Sequence, residues 1–244
     1  MLVALTAALY VAILIPFKGI PLIPGFTEIR PAQIIAATFP LFFGPAGAWG
    51  LAIGNLIGDM FGTLTLGSIF GFIGNLFIGV VIYKLWRTFG KEAIVKSGKD
   101  YAIYALCVIC SAFLCGAIIA WGLEVLGLLP FAALGTIIPL NNTIMPLVLG
   151  PVLLALLYPR IKKWGLRWQD IMDEKDISKQ KLVIPARIMV AVGSIGAIVV
   201  GLAISTGVYG AALAGFGVGT VGVGVIVAVA PFILLAVTPL LFLI

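Results

Sequence analysis

The chain has 244 residues, of which 62% are hydrophobic and 10% charged, with no histidine and a formal net charge of +6. That balance describes a polytopic membrane protein. It also excludes a Ser-His-Asp triad or a histidine-rich metal site. The positive charge does not point to nucleic acid, because the basic residues gather in two loops between apolar spans.

Apolar runs and their breakers predict eight membrane spans, near 1–16, 32–47, 49–63, 66–86, 101–128, 136–158, 186–206 and 218–243. Met1 leads straight into apolar sequence without a basic n-region, so no cleavable signal peptide is expected. The first span carries Ala4, Ala8 and Ala12 at four-residue spacing, a stripe without bulk. A proline-containing loop with Lys18, Glu28 and Arg30 follows. The second and third spans are short, reaching ~20–24 Å at ~1.5 Å per residue, against a hydrocarbon core of ~30 Å. They are expected to be tilted, irregular or shielded by neighbours.

The third span reads GLAIGNLIGDMFG. Gly50, Gly54, Gly58 and Gly62 recur every four residues and predict a smooth seam for backbone-to-backbone packing. Asn55 and Asp59 share the next strip. A carboxylate in a bilayer helix costs about 2.5–3.5 kcal/mol on insertion scales, so Asp59 is expected to face a protein interior or a wet cavity.

Cys107, Cys110 and Cys115 fall in the fifth span, where the lipid setting and the lack of histidine favour packing over redox or metal chemistry. Over 159–172, Ile161, Trp164, Trp168 and Ile171 share a helical face ringed by Lys162, Lys163 and Arg167. That pattern predicts an amphipathic helix at the inner membrane surface. Asp170, Asp173, Glu174 and Asp176, interleaved with lysines, read as a solvated charge face. Gly217, Gly219 and Gly222 satisfy G-x-G-x-x-G, but no strand precedes them, and they are assigned to a glycine-rich last span. There is no G-x-x-x-x-G-K-[ST] phosphate loop.

Orientation follows from Lys and Arg. Residues 84–100 hold Lys84, Arg87, Lys91, Lys96 and Lys99, and residues 159–187 hold eight more, together thirteen of the fifteen basic residues. Eight spans with the N-terminus inside place both loops and both termini in the cytoplasm. Lys18 and Arg30 then fall in the first outer loop. Asn55 and Asp59 take the middle and outer part of span three. Asn75 sits near mid-depth in span four, Trp121 and Glu124 near the outer end of span five, and Asn141 and Asn142 in the outer half of span six. Glu28, Arg30 and Gln33 lie in or beside the loop. The expected result is a pocket open to the outside with a few polar groups among apolar walls. Against this stand structural roles: Asn55 and Asn75 bonding neighbouring helices, Asp59 clamped by Arg30, Glu124 reaching for the interface, and Trp49 and Trp121 as interfacial anchors.

LVALTAALYVAIL, the loop IPFKGIPLIPGFTEIRPAQ and the run FPLFFGPAGAWGLAIGNLIGDMFG together resemble the substrate-binding S-components of energy-coupling factor (ECF) transporters, which are vitamin-uptake proteins with six membrane helices. The resemblance covers residues 1–158, and Glu28-Ile29-Arg30 looks like the queuosine-precursor branch. It implies an all-α membrane bundle with a six-span substrate-binding core (1–158), a cytoplasmic amphipathic loop (159–185) and two additional spans (186–244). It further implies capture of a small vitamin-like or nucleobase-like solute at the outer face of a prokaryotic plasma membrane. A separate transmembrane coupling subunit with ATPase subunits would drive uptake. No enzymatic activity, cofactor or metal is expected. Arg30, Asn55, Asp59, Asn75, Glu124, Asn141 and Asn142 would bind polar ligand groups, and Trp121 would stack on a flat ring. Ala4, Ala8 and Ala12 would dock the coupling subunit, and the loop after the first span would cap the ligand. Two other readings stay open: an assembly subunit of a larger membrane complex, and a secondary transporter with Asp59 or Glu124 as proton carrier. An inverted repeat would favour the last, and none is evident.

Overall fold

A computed structural model of the chain describes residues 1–177, 179–207 and 222–244. The helices are α1 (Leu2–Leu14), α2 (Gln33–Phe43), α3 (Pro45–Asp59), α4 (Ser68–Arg87), α5 (Gly98–Val125), α6 (Phe131–Lys163), α7 (Trp168–Ile171), α8 (Val183–Ser205) and α9 (Val223–Phe242). The expected all-α membrane bundle is what forms. Helices α4, α5, α6, α8 and α9 are long and apolar enough to cross a membrane, and α1 and α2 are shorter apolar helices. The eight expected spans correspond to α1–α6, α8 and α9; Gly217 and Gly219 of the glycine-rich run lie outside the described residues.

The described strands are a small antiparallel pair after α1, β1 (Pro21–Ile23) and β2 (Thr27–Glu28). Ile23-Pro24-Gly25-Phe26 closes it. The Phe26 amide donates to the Ile23 carbonyl at 3.0 Å, and Gly25 supplies the positive φ, +78°, that the third position of a Pro-Gly turn requires.

The bundle has a basic end, with the 88–97 and 164–182 connections, and an opposite end, with the loop 15–32. Short α2 survives in an apolar setting by being enclosed: every residue from Ile35 to Phe43 is buried, against α1, α3, α4 and α6. The α2–α3 corner at the basic end turns on Gly44, at φ +52°, with Pro45 opening α3. A Cβ on Gly44 would lie 2.7 Å from Cγ of Trp168. Trp168 is buried here, edge-on to Tyr83 with centroids 5.8 Å apart, and Arg87 sits 5.6 Å from its ring. The continuous amphipathic helix expected over 159–172 is therefore not formed. Gly165, at φ +64°, ends the run after α6, so Ile161 and Trp168 are buried while Trp164 and Ile171 are exposed. Burial of one indole against the α2–α3 corner wins over a single amphipathic face. Nearby, Glu92 receives Lys162 at 2.5 Å and Lys96 at 3.1 Å, and those hydrogen bonds hold its carboxyl down to about 2.

The glycine seam packs α3 on α1. A Cβ on Gly50 would meet Thr6 at 2.5 Å, one on Gly54 would lie 3.2 Å from the Ala7 backbone, and Gly58 lies under Leu14. Gly62 is past the helix end at φ +126° and faces open space, so the seam has three members. The face of α1 turned away from α3 carries Ala4, Ala8 and Ala12, all exposed, beside exposed Leu5 and Leu9.

Helices α8 and α9 pack on each other and on α5, with α8 also touching α6. Gly193 lets them approach until a Cβ there would sit 2.6 Å from the Phe232 carbonyl oxygen. At the basic end Arg187 donates to the Thr88 hydroxyl at 2.9 Å and to its carbonyl, and lies 3.8 Å from the Phe89 ring centre. Lys84 donates to the Leu240 and Ile244 carbonyls at 2.6 and 2.7 Å, satisfying the end of α9 as a cation at a helix C-terminus does. Helix α5 becomes the most enclosed of the five long spans.

Candidate functional site

Polar side chains converge at the end opposite the basic loops, where the loop 15–32 folds over α3, α4 and α6. Glu28 and Arg30 are brought inward by the β1–β2 turn and are buried. Arg30 Nε lies 3.0 Å from Glu28 Oε1, and its terminal nitrogen donates to Asn55 Oδ1 at 2.8 Å. Asn55 in turn donates to Asp59 Oδ2 at 3.3 Å. The four-residue spacing on α3 is what lets one side chain hand on to the other. Lys18 closes the circuit: it donates to Glu28 at 3.3 Å and to the Thr63 hydroxyl at 2.6 Å, and lies 3.8 Å from Asp59 Oδ1. Thr63 donates to the same Asp59 oxygen at 3.2 Å. Two cations face two anions, so the charge cancels locally. That cancellation, with the hydrogen bonds from Arg30 and Asn55 and those of Lys18 and Thr63, is what offsets the desolvation of buried ions.

The loop is pinned to α6 by Asn141, whose amide behaves like a short piece of strand. Its oxygen accepts from the Arg30 backbone N–H at 3.2 Å, and its nitrogen donates to the Glu28 carbonyl at 2.8 Å. Beneath lies a cavity of about 40 Å³, lined by the polar residues Arg30, Asn55, Asp59, Thr63 and Ser68 and by the apolar residues Ile119, Leu123, Leu134 and Ile138. Asn141 and Asn142 also border it. Gly71 keeps the α4 wall back: a Cβ there would stand 3.0 Å from the Asn55 amide nitrogen.

Of the residues singled out from sequence, Arg30, Asn55, Asp59, Asn141 and Asn142 line this one cavity. Asn75 lies outside the lining. It donates to the Gly71 carbonyl at 2.9 Å and accepts from Tyr10 at 3.4 Å, and Gln33 donates to Tyr10 at 3.1 Å. Trp121 and Glu124 turn to the C-terminal helices instead. The Trp121 indole donates to the Ile226 carbonyl at 3.1 Å, with Phe70 edge-on to its ring. The Glu124 carboxylate accepts from the Phe131 amide at 2.6 Å and from the Gly222 amide at 2.8 Å. It thus stands at the N-termini of both α6 and α9. The Asp59–Arg30 clamp is indirect, running through Asn55, and Lys18 is the cation nearest to Asp59.

Sequence reasoning used Lys18 only to count charges and passed over Thr63 and Ser68. The signals were present: Thr63 lies four residues after Asp59, and a lone lysine on the side opposite the basic loops invites an acidic partner.

Residues 1–159 match the family model described as QueT transporter. No match was found among curated proteins or solved structures.

Proposed function

The chain belongs to the QueT transporter family, whose members are ECF S-components for queuosine precursors, and we propose that it captures such a precursor, a 7-deazaguanine base, in the cavity under the loop 15–32. The observation that carries this reading is the polar cavity bordered by Arg30, Asn55, Asp59, Asn141 and Asn142 together with apolar side chains. A flat base with donor and acceptor edges suits such a slot, its faces against Ile119, Leu123, Leu134 and Ile138 and its edges toward the polar side. As it stands the cavity has room for roughly three waters. A base needs more room than that, so in this reading the loop lifts to admit it, which breaks the Lys18 contacts to Glu28 and Thr63 and the Asn141 contacts to the loop backbone.

In this reading the basic end is cytoplasmic and the loop 15–32 faces outward in a prokaryotic plasma membrane. The exposed Ala4, Ala8 and Ala12 face of α1 meets a transmembrane coupling subunit, and separate ATPase subunits drive uptake.

Titration calorimetry with 7-aminomethyl-7-deazaguanine tests the proposal. Wild type is expected to bind, and Asp59→Ala or Asn55→Ala to weaken binding at least about tenfold, since losing one partner of a desolvated polar contact costs ~1–3 kcal/mol. Wild-type affinity in both folded variants would return this carboxylate and amide to a purely structural role.

A further inference from the structure

Asn142, which borders the cavity, carries an acceptor that the protein leaves unmatched. Asn142 is 5% exposed, and its Oδ1 has no hydrogen-bond partner. Its Nδ2 points to Cys115 Sγ at 3.7 Å, a weak contact that nonetheless turns the amide one way. The neighbouring amides and ions are engaged. Both ends of the Asn55 and Asn141 amides are used, Asp59 takes Asn55 and Thr63, and Arg30 donates to Asn55 and is ion-paired through its Nε with Glu28. The neighbours of Asn142 along this wall, Ile119, Leu134 and Ile138, have no donors to offer. Helix geometry does not explain the residue either, because an amide in mid-helix facing apolar side chains earns nothing for the fold when its oxygen stays bare.

We propose that Asn142 Oδ1 is the specificity acceptor of the site, reserved for an N–H donor of the incoming base. The inference rests on the substrate-capture reading above and deepens it. The guanine-type edge, a ring N–H beside an exocyclic amino group, faces α6, while the acceptors of the base face Arg30. An isostere with an acceptor at that edge would leave two acceptors opposed in a dry pocket and be rejected.

A reserved acceptor and a structural amide respond to removal with opposite signs. Replacing a structural amide lowers stability. Replacing an unmatched one relieves the empty protein and harms only the complex. Asn142→Leu and Asn142→Asp, purified beside wild type, are to be melted without ligand and titrated with 7-aminomethyl-7-deazaguanine. The leucine variant is expected to melt at or above wild type yet bind at least about tenfold more weakly. The aspartic variant, which keeps an acceptor in place, is expected to bind within about threefold of wild type. Wild-type affinity in the leucine variant overturns the proposal. So does a lowered melting temperature in that variant, or an aspartic variant as weak as the leucine one. If wild type itself does not bind the base, the substrate reading falls, and the ligand-free melt of Asn142→Leu still decides whether this amide is structural or unmatched.

Discussion

Glu124 shows how a carboxylate can be drawn into a membrane bundle without lining the polar cavity. Its two oxygens each take a backbone N–H, one from the start of α6 and one from the residue before α9. The positive ends of two helix dipoles and two otherwise orphaned donors favour the charge there. Glu124→Ala should therefore destabilise the fold by about 2 kcal/mol or more, two lost caps at ~1 kcal/mol each. Substrate affinity of the folded fraction should change little. Denaturant unfolding in detergent is the measurement, and an unaltered midpoint would contradict the double-cap role. From sequence, an acidic residue near a span end reads equally well as ligand contact or cap, because nothing local reveals that the Gly222 amide arrives from 98 residues away. Asn55 and Asp59 were more legible, since the partner of each is four residues along the same helix.

At the scale of elements, α1 has two faces with different prospects. Thr6, Ala7, Tyr10 and Leu14 are buried, the first three against Gly50 and Gly54 and Leu14 over Gly58, while Ala4, Ala8 and Ala12 are exposed. Ala8→Leu adds bulk to the outer face alone. It should leave folding and substrate affinity intact and abolish uptake by cells supplying the coupling module. Gly54→Leu puts the same bulk into the seam. It should lower the melting temperature and take binding with it, with a cost in the ~1–3 kcal/mol range of overpacking or above. Measuring stability, affinity and uptake on both variants separates the faces, and parallel losses in Ala8→Leu would remove the docking role. The glycine period announced the seam plainly. Which face of α1 would fill it was not legible, because α1 is apolar all round and gives no amphipathic signal. The segment 159–172 misled for the converse reason. Its period is clean, but one glycine and one buried indole overrule it.

For the molecule as a whole, chain direction and charge agree. Successive spans alternate, and the two basic connections share an end with Gly44, Trp168 and the α9 carboxyl end. A Ser97→Cys variant should be modified by an impermeant maleimide only after the inner face is opened, and labelling of intact cells would invert the topology. The pair α8–α9 lies beyond the residues that the family match covers, and it packs on α5 and α6, whereas α1 packs on α2 and α3. The added helices therefore leave the small-residue face of α1 clear. Their covering of α5 has a chemical side as well. Cys107, Cys110 and Cys115, the three thiols of the chain, are free and fully buried along that helix. A thiol reagent meets none of them in the folded protein, so an engineered cysteine can be followed against a silent background without removing the natural ones. Conversely, the rate at which the natural thiols react becomes a clock for the opening of the bundle around its central helix.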